Sequence, residues 1–124
     1  MRIRPERVAE TIKREMAEIL AHRLRDPRLG GMISVTDVEV TPDLSLARIF
    51  VSVLASDEER ARVLEALTHS TGFVRHELAP RLGLREMPEI RFILDTSIQQ
   101  GARVEELLRR LASGEAIPDD DVGS

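Results

Sequence analysis

Ser70-Thr71-Gly72 is the stretch of this sequence best suited to holding an anion. One helical pattern runs into it on Val63, Leu64 and Leu67, and another runs out of it on Phe73, Val74, Leu78 and Leu82. Three poor helix formers lie between. Hydroxyl side chains compete for backbone hydrogen bonds, and glycine costs about 1 kcal/mol against alanine inside a helix. The pattern predicts two short helices meeting at a kink. The second helix would then start with unpaired N–H groups, which together with the helix dipole suit a phosphate. The competing reading is an ordinary helix–turn–helix corner that only packs the core.

The charges fit an anionic partner without requiring one. Seventeen of the eighteen basic residues are arginine, whose planar fork matches two phosphate oxygens at once. A general habit of arginine use would give the same composition. The formal net charge of -4 is concentrated at one end, where Glu115, Asp119, Asp120 and Asp121 fall in the last ten residues. Setting those four aside leaves 18 acids against 18 bases. Residues 1–36 carry eight bases (Arg2, Arg4, Arg7, Lys13, Arg14, Arg23, Arg25, Arg28) against five acids, a local positive excess.

Other chemistry has little to stand on. The three imidazoles, His22, His69 and His76, show no metal-ligand spacing, and there is no cysteine to complete a zinc site. Glu58-Glu59 and Glu105-Glu106 are helix neighbours that diverge by about 100°, so they are solvated surface and not an acid/base pair. No phosphate-cradling glycine motif and no nucleophile elbow occur. With no Tyr or Trp, base stacking is left to Phe50, Phe73, Phe92 and the arginine planes, and Phe92 reads as core. The expectation is a protein that is not an enzyme and uses no metal or cofactor.

The elements that must position these groups can be read in order. With 124 residues, 42% of them apolar and 32% charged, the chain is large enough for one domain with a real core. No apolar run approaches the roughly 20 residues of a membrane span, and no secretory leader is visible. The absence of cysteine suits the cytoplasm. Pro5 to Arg25 reads as a helix with Val8, Ile12, Met16, Ile19, Leu20 and Leu24 on one stripe. Arg7, Arg14 and Arg25 lie within about 20° of one another on the other side. Asp26-Pro27 ends it, with Gly30-Gly31 in the following loop.

Ile33 to Thr41 reads as a strand whose phase shifts between Val35 and Val38, so a bulge is expected near Thr36-Asp37. Thr41-Pro42-Asp43 turns into a second strand, Leu46 to Leu54, making an antiparallel hairpin. Ser56 or Asp57 caps the helix that runs to the kink. Pro80 should bend or end the helix after the kink near Ala79, and Gly83 suits a left-handed terminus. Glu89 to Asp95 is a third strand. Ser97 caps a last helix bearing Ile98, Ala102, Val104, Leu107, Leu108 and Leu111. The composition from Ala112 onward predicts a disordered acidic tail over 112–124 after a single domain over 1–111.

The order helix, strand, strand, helix–kink–helix, strand, helix is the type II KH arrangement: an α+β domain, a three-stranded sheet with helices on one face. KH domains clamp RNA with a GXXG loop, yet no two of the seven glycines are spaced three apart. The chain resembles the ribosome-binding factor A family, in which an Ala-x-Gly kink replaces that loop. The resemblance is carried by Arg4-Pro5-Glu6-Arg7-Val8-Ala9, Asp26-Pro27-Arg28-Leu29-Gly30 and Val38-Glu39-Val40 with Asp43-Leu44. It continues through Gly72-Phe73-Val74-Arg75, Pro88-Glu89-Ile90-Arg91-Phe92, Asp95-Thr96-Ser97 and Gly101-Ala102-Arg103. It spans about residues 4–111, with Ser70 where the family has alanine and Pro80 as a departure.

The resemblance implies a non-enzymatic assembly factor. Such proteins bind the immature 30S ribosomal subunit and assist late maturation of 16S rRNA, including its 5′ end, and they support growth in the cold. On that footing Ser70, Thr71 and the Gly72 N–H would meet phosphate with Arg75, Arg81 and Arg85 nearby. Arg4, Arg7, Lys13 and Arg14 would widen the contact. The partners implied are the 30S subunit and 16S rRNA, with no membrane or small-molecule ligand, and the chain would act as a monomer. The alternative is a small α/β module that docks on a partner protein without touching RNA.

Overall fold

A computed structural model describes residues 3–22 and 32–114. The chain runs α1 (Pro5–His22), β1 (Met32–Val40), β2 (Leu46–Leu54), α2 (Asp57–His69), α3 (Thr71–Leu82), β3 (Glu89–Leu94) and α4 (Ser97–Ala112). The expected end of the first helix at Arg25, with Asp26-Pro27 and Gly30-Gly31, lies outside the described residues. Of the expected disordered tail over 112–124, residues 115–124 also lie outside the described residues, while Ala112 is the last residue of α4 and Ser113 its C-cap.

The sheet has the order β1-β2-β3, with β1 antiparallel and β3 parallel to β2. Val35 pairs with Val51 and Asp37 with Phe50, leaving Thr36 as the extra residue of a bulge. The extra residue resets the alternation. Ile33, Val35, Val38 and Val40 all pair with the fully buried row Val53, Val51, Ile49 and Ala47, so one face of β1 stays apolar along its length. The Thr36 hydroxyl donates to Asp95 Oδ2 at 2.6 Å, beyond the end of β3. This bond, with those from Ser97, holds the Asp95 carboxyl below its usual pKa. The turn between β1 and β2 is closed in the same manner: Ser45 and Thr41 bond the Asp43 carboxylate and lower its pKa.

Helices α1, α2 and α3 cover the apolar face. Ile12, Met16 and Ile19 of α1, Leu67 of α2, and Val74 and Leu78 of α3 are fully buried against Ile49, Val51 and Val53. Ile90 and Phe92 of β3 complete the layer, Phe92 as the sequence predicts. Ser56 caps α2, its Oγ accepting from the Glu59 N–H at 3.2 Å.

Two local expectations need correction. Pro80 does not end α3, which continues to Leu82 and closes on Gly83 at φ 62, whose N–H bonds Ala79 O at 3.2 Å. Proline at 80 deprives only the His76 carbonyl of a partner, and His76 is exposed where water can replace it. Ser97 is not the cap of α4. Thr96 holds that position without a side-chain bond, and the Asp95 carboxylate accepts from the Ser97 N–H at 2.9 Å. On α4, Val104, Leu108 and Leu111 are 54%, 60% and 55% exposed, so their side of the helix faces solvent.

Candidate nucleic-acid interface

The kink is a single residue wide. Ser70 ends α2, its N–H bonding Ala66 O and Leu67 O, and its own carbonyl accepts the first bond of α3, from Val74 N–H at 3.0 Å. The amides of Thr71, Gly72 and Phe73 therefore have no acceptor inside α3. Ser70 makes no side-chain cap, so the helix start is not closed by a hydroxyl. The Thr71 hydroxyl turns back to Thr68 O at 3.0 Å and pins the corner. Gly72 is exposed, and a Cβ placed there would have nothing within 4 Å. A ligand backbone can approach this surface closely.

The residues beside the kink are accessible too. Arg75 is exposed, as the sequence reading requires. Phe73 is 41% exposed and does not join the core as its stripe suggested. Phe73 and Val74 are neighbours about 100° apart, so only one can face inward, and Val74 is the fully buried one. An exposed ring next to free amides and an arginine is the combination that stacks an unpaired base and holds its backbone.

The remaining sequence-nominated residues gather elsewhere. Thr71 and Arg81 are ten positions apart on α3, roughly 15 Å along the axis. At that far end Arg4, Arg7 and Arg14 of the first helical segment face Arg81, Leu82 and Leu84 across a cleft of about 640 Å³. The Arg4 carbonyl starts α1, accepting from Arg7 N–H at 3.1 Å and Val8 N–H at 3.2 Å. Arg81 is not a free surface cation. Its Nε lies 3.4 Å from Glu15 Oε2, with both side chains about a fifth exposed, tying α3 to α1. Glu15 also lies 3.8 Å from Arg14 Nε. Lys13 and Arg85 are exposed but do not line the cleft. Neither Glu15 nor Leu84 was singled out from the sequence, because nothing in local spacing links residue 15 to residue 81.

Among the described residues no group of three or more His, Asp or Glu side chains is placed to hold a metal ion. No described helix is long and apolar enough to cross a membrane.

The same architecture occurs in solved structures. A crystal structure of ribosome-binding factor A from Thermus thermophilus superposes with a TM-score of 0.64 at 27% identity, covering 73% of this chain and 93% of that one. A model of the Thermus thermophilus protein fitted into the cryo-EM map of its complex with the 30S subunit gives a TM-score of 0.59 at 27% identity, covering 71% and 91%. In sequence, ribosome-binding factor A of Desulforamulus reducens is 48% identical over 115 residues, 93% of this chain and 95% of that protein. The protein of the same name from Acetivibrio thermocellus is 45% identical over 120 residues, 94% and 98% of the two chains. With the ribosome-binding factor A family model matching residues 4–108, from the arginine just before α1 to Leu108 of α4, this chain belongs to that family.

Proposed function

We propose that this chain is a non-enzymatic assembly factor of the cytoplasm. It binds the free or immature 30S subunit and assists late maturation of 16S rRNA, including processing at its 5′ end and during growth in the cold. The observation that carries the reading is the kink, where an uncapped helix start, an exposed Gly72, an exposed Phe73 and Arg75 share one surface. Ser70, Thr71 and Gly72 meet backbone phosphate, Phe73 receives a base and Arg75 adds charge, with Arg85 adding charge past the far end of α3. Arg4, Arg7, Lys13, Arg14 and Arg81 extend the contact along α1. Phosphate contacts of this kind position a protein on folded RNA without reading its sequence.

Gly72→Asp tests this directly. An acidic residue in the first turn suits the helix dipole, so the domain should remain folded, while its charge repels phosphate. Co-sedimentation with immature 30S particles should weaken by about tenfold or more, the scale of losing one charge-assisted contact. Unchanged co-sedimentation would remove the kink from the interface.

The exposed Val104, Leu108 and Leu111 of α4 favour a second reading, a module that docks on a partner protein without touching RNA. A gel shift of protein-free 16S rRNA supports the first reading. Binding confined to complete subunits supports the second.

A further inference from the structure

We infer that the cleft between α1 and the end of α3 takes one unstacked RNA nucleotide, its phosphate on the arginines and its base on the apolar floor. The cleft volume of about 640 Å³ falls within the roughly 300–1,000 Å³ of small-ligand sites. Three arginines approach from the α1 side and Arg81 from α3, and none of the described lining residues is acidic. Arg7 and Arg14 share a helix face because seven residues return the helix to within about 20° of its starting direction.

Arg81 distinguishes this cleft from a general basic surface. Glu15 holds its Nε, while its Nη1 is shielded from water and has no acceptor. A buried donor left unmade is costly. A phosphate oxygen entering beside it supplies the missing acceptor, and Glu15 fixes the fork and the neighbouring Arg14 for that purpose. The floor narrows the ligand further. Ile3 is 46% exposed, and Leu82 and Leu84 are half-buried. A free phosphate has no use for those side chains. A flat base does, and it can lie against them or against a guanidinium plane.

This inference rests on the RNA reading but not on the kink, which lies at the other end of α3. The test uses the full chain, isotope-labelled for NMR and titrated with adenosine 5′-monophosphate, inorganic phosphate and a hexa-aspartate peptide in turn. The same preparations are assayed for 30S co-sedimentation. The nucleotide should shift the backbone amides of Arg7, Arg14 and Leu84 saturably and bind more tightly than phosphate. The Arg7→Gln/Arg14→Gln variant should weaken it about tenfold or more. Should that variant unfold, Arg7→Lys, which keeps the charge and loses the fork, should still weaken the nucleotide measurably. No saturable shift at those amides overturns the site, even if the chain sediments with subunits. Saturable nucleotide binding by a chain that fails to sediment supports the cleft and sinks the 30S reading. Phosphate binding as tightly as the nucleotide removes the base from the proposal, and equal binding of the aspartate peptide removes RNA.

Discussion

The two ends of α3 are built in opposite ways. At its start the backbone is the accessible part: Gly72 is open, the first-turn amides lack acceptors within the helix, and Arg75 is the cation that follows that turn. At its end side chains dominate, with Arg81 tied to Glu15 and facing three more arginines across a cleft. An amide turn is fixed in direction and carries only a partial charge. An arginine cluster carries full charges, attracts from farther away, and is more sensitive to salt. The contrast teaches that one short helix can offer a positional contact and an electrostatic one, held at a set spacing by the core beneath it.

Breaking the spacing should have the largest effect. Leu78 is fully buried midway along α3. Leu78→Ala should cost about 3 kcal/mol in urea unfolding, a large share of the stability of a small domain, and both ends should lose binding together. Binding that survives at full strength would show that a rigid α3 is not needed.

Glu15→Gln acts on one end only. Removing the carboxylate from a pair that is mostly buried should cost about 1 kcal/mol in thermal unfolding. It should loosen Arg81 and leave kink-dependent binding untouched. Equal losses at both ends would mean that the regions are coupled.

Gly72→Ala sharpens the other side. With open space for the methyl group and a helical backbone, alanine should add roughly 0.5–1 kcal/mol to stability. A melting curve checks this. Weaker 30S binding despite the added stability would place the partner directly against the backbone. The smallest effect should appear in salt titrations of RNA binding. Arg75→Gln should reduce the log–log slope by about 0.7, the value for one phosphate on a single strand. Replacing Arg7 and Arg14 together should reduce it about twice as much.

The sequence showed more of the fold than of the interface, for a physical reason. Alternation, capping and breakers are local, so β1 with its bulge, a cap at Ser56 or Asp57 and a kink within Ser70-Thr71-Gly72 were legible, although only Ser70 lies between the helices. The misreadings were local competitions decided by exposure. Pro80 lost a bond that water could replace, and Asp95 reached the Ser97 amide before Ser97 could act as a cap. The arginines were legible as a set but not as two groups. Only the packing of α1 on α3 brings Glu15 to Arg81, and only the rotation of α3 decides that Phe73 points outward.

The bulge at Thr36 carries a consequence for how the molecule tolerates change. A nine-residue strand with one supernumerary position is a ruler with a built-in correction. Deleting Thr36 would leave Ile33, Val35, Val38 and Val40 in unbroken alternation opposite the same partners, so the apolar face would survive. Because its hydroxyl ends on Asp95, the deletion would instead untie the chain where it leaves the sheet for α4. A change at one edge of the sheet would thus be felt at the other, and natural variation should spare a hydroxyl at this position more strictly than the length of the strand.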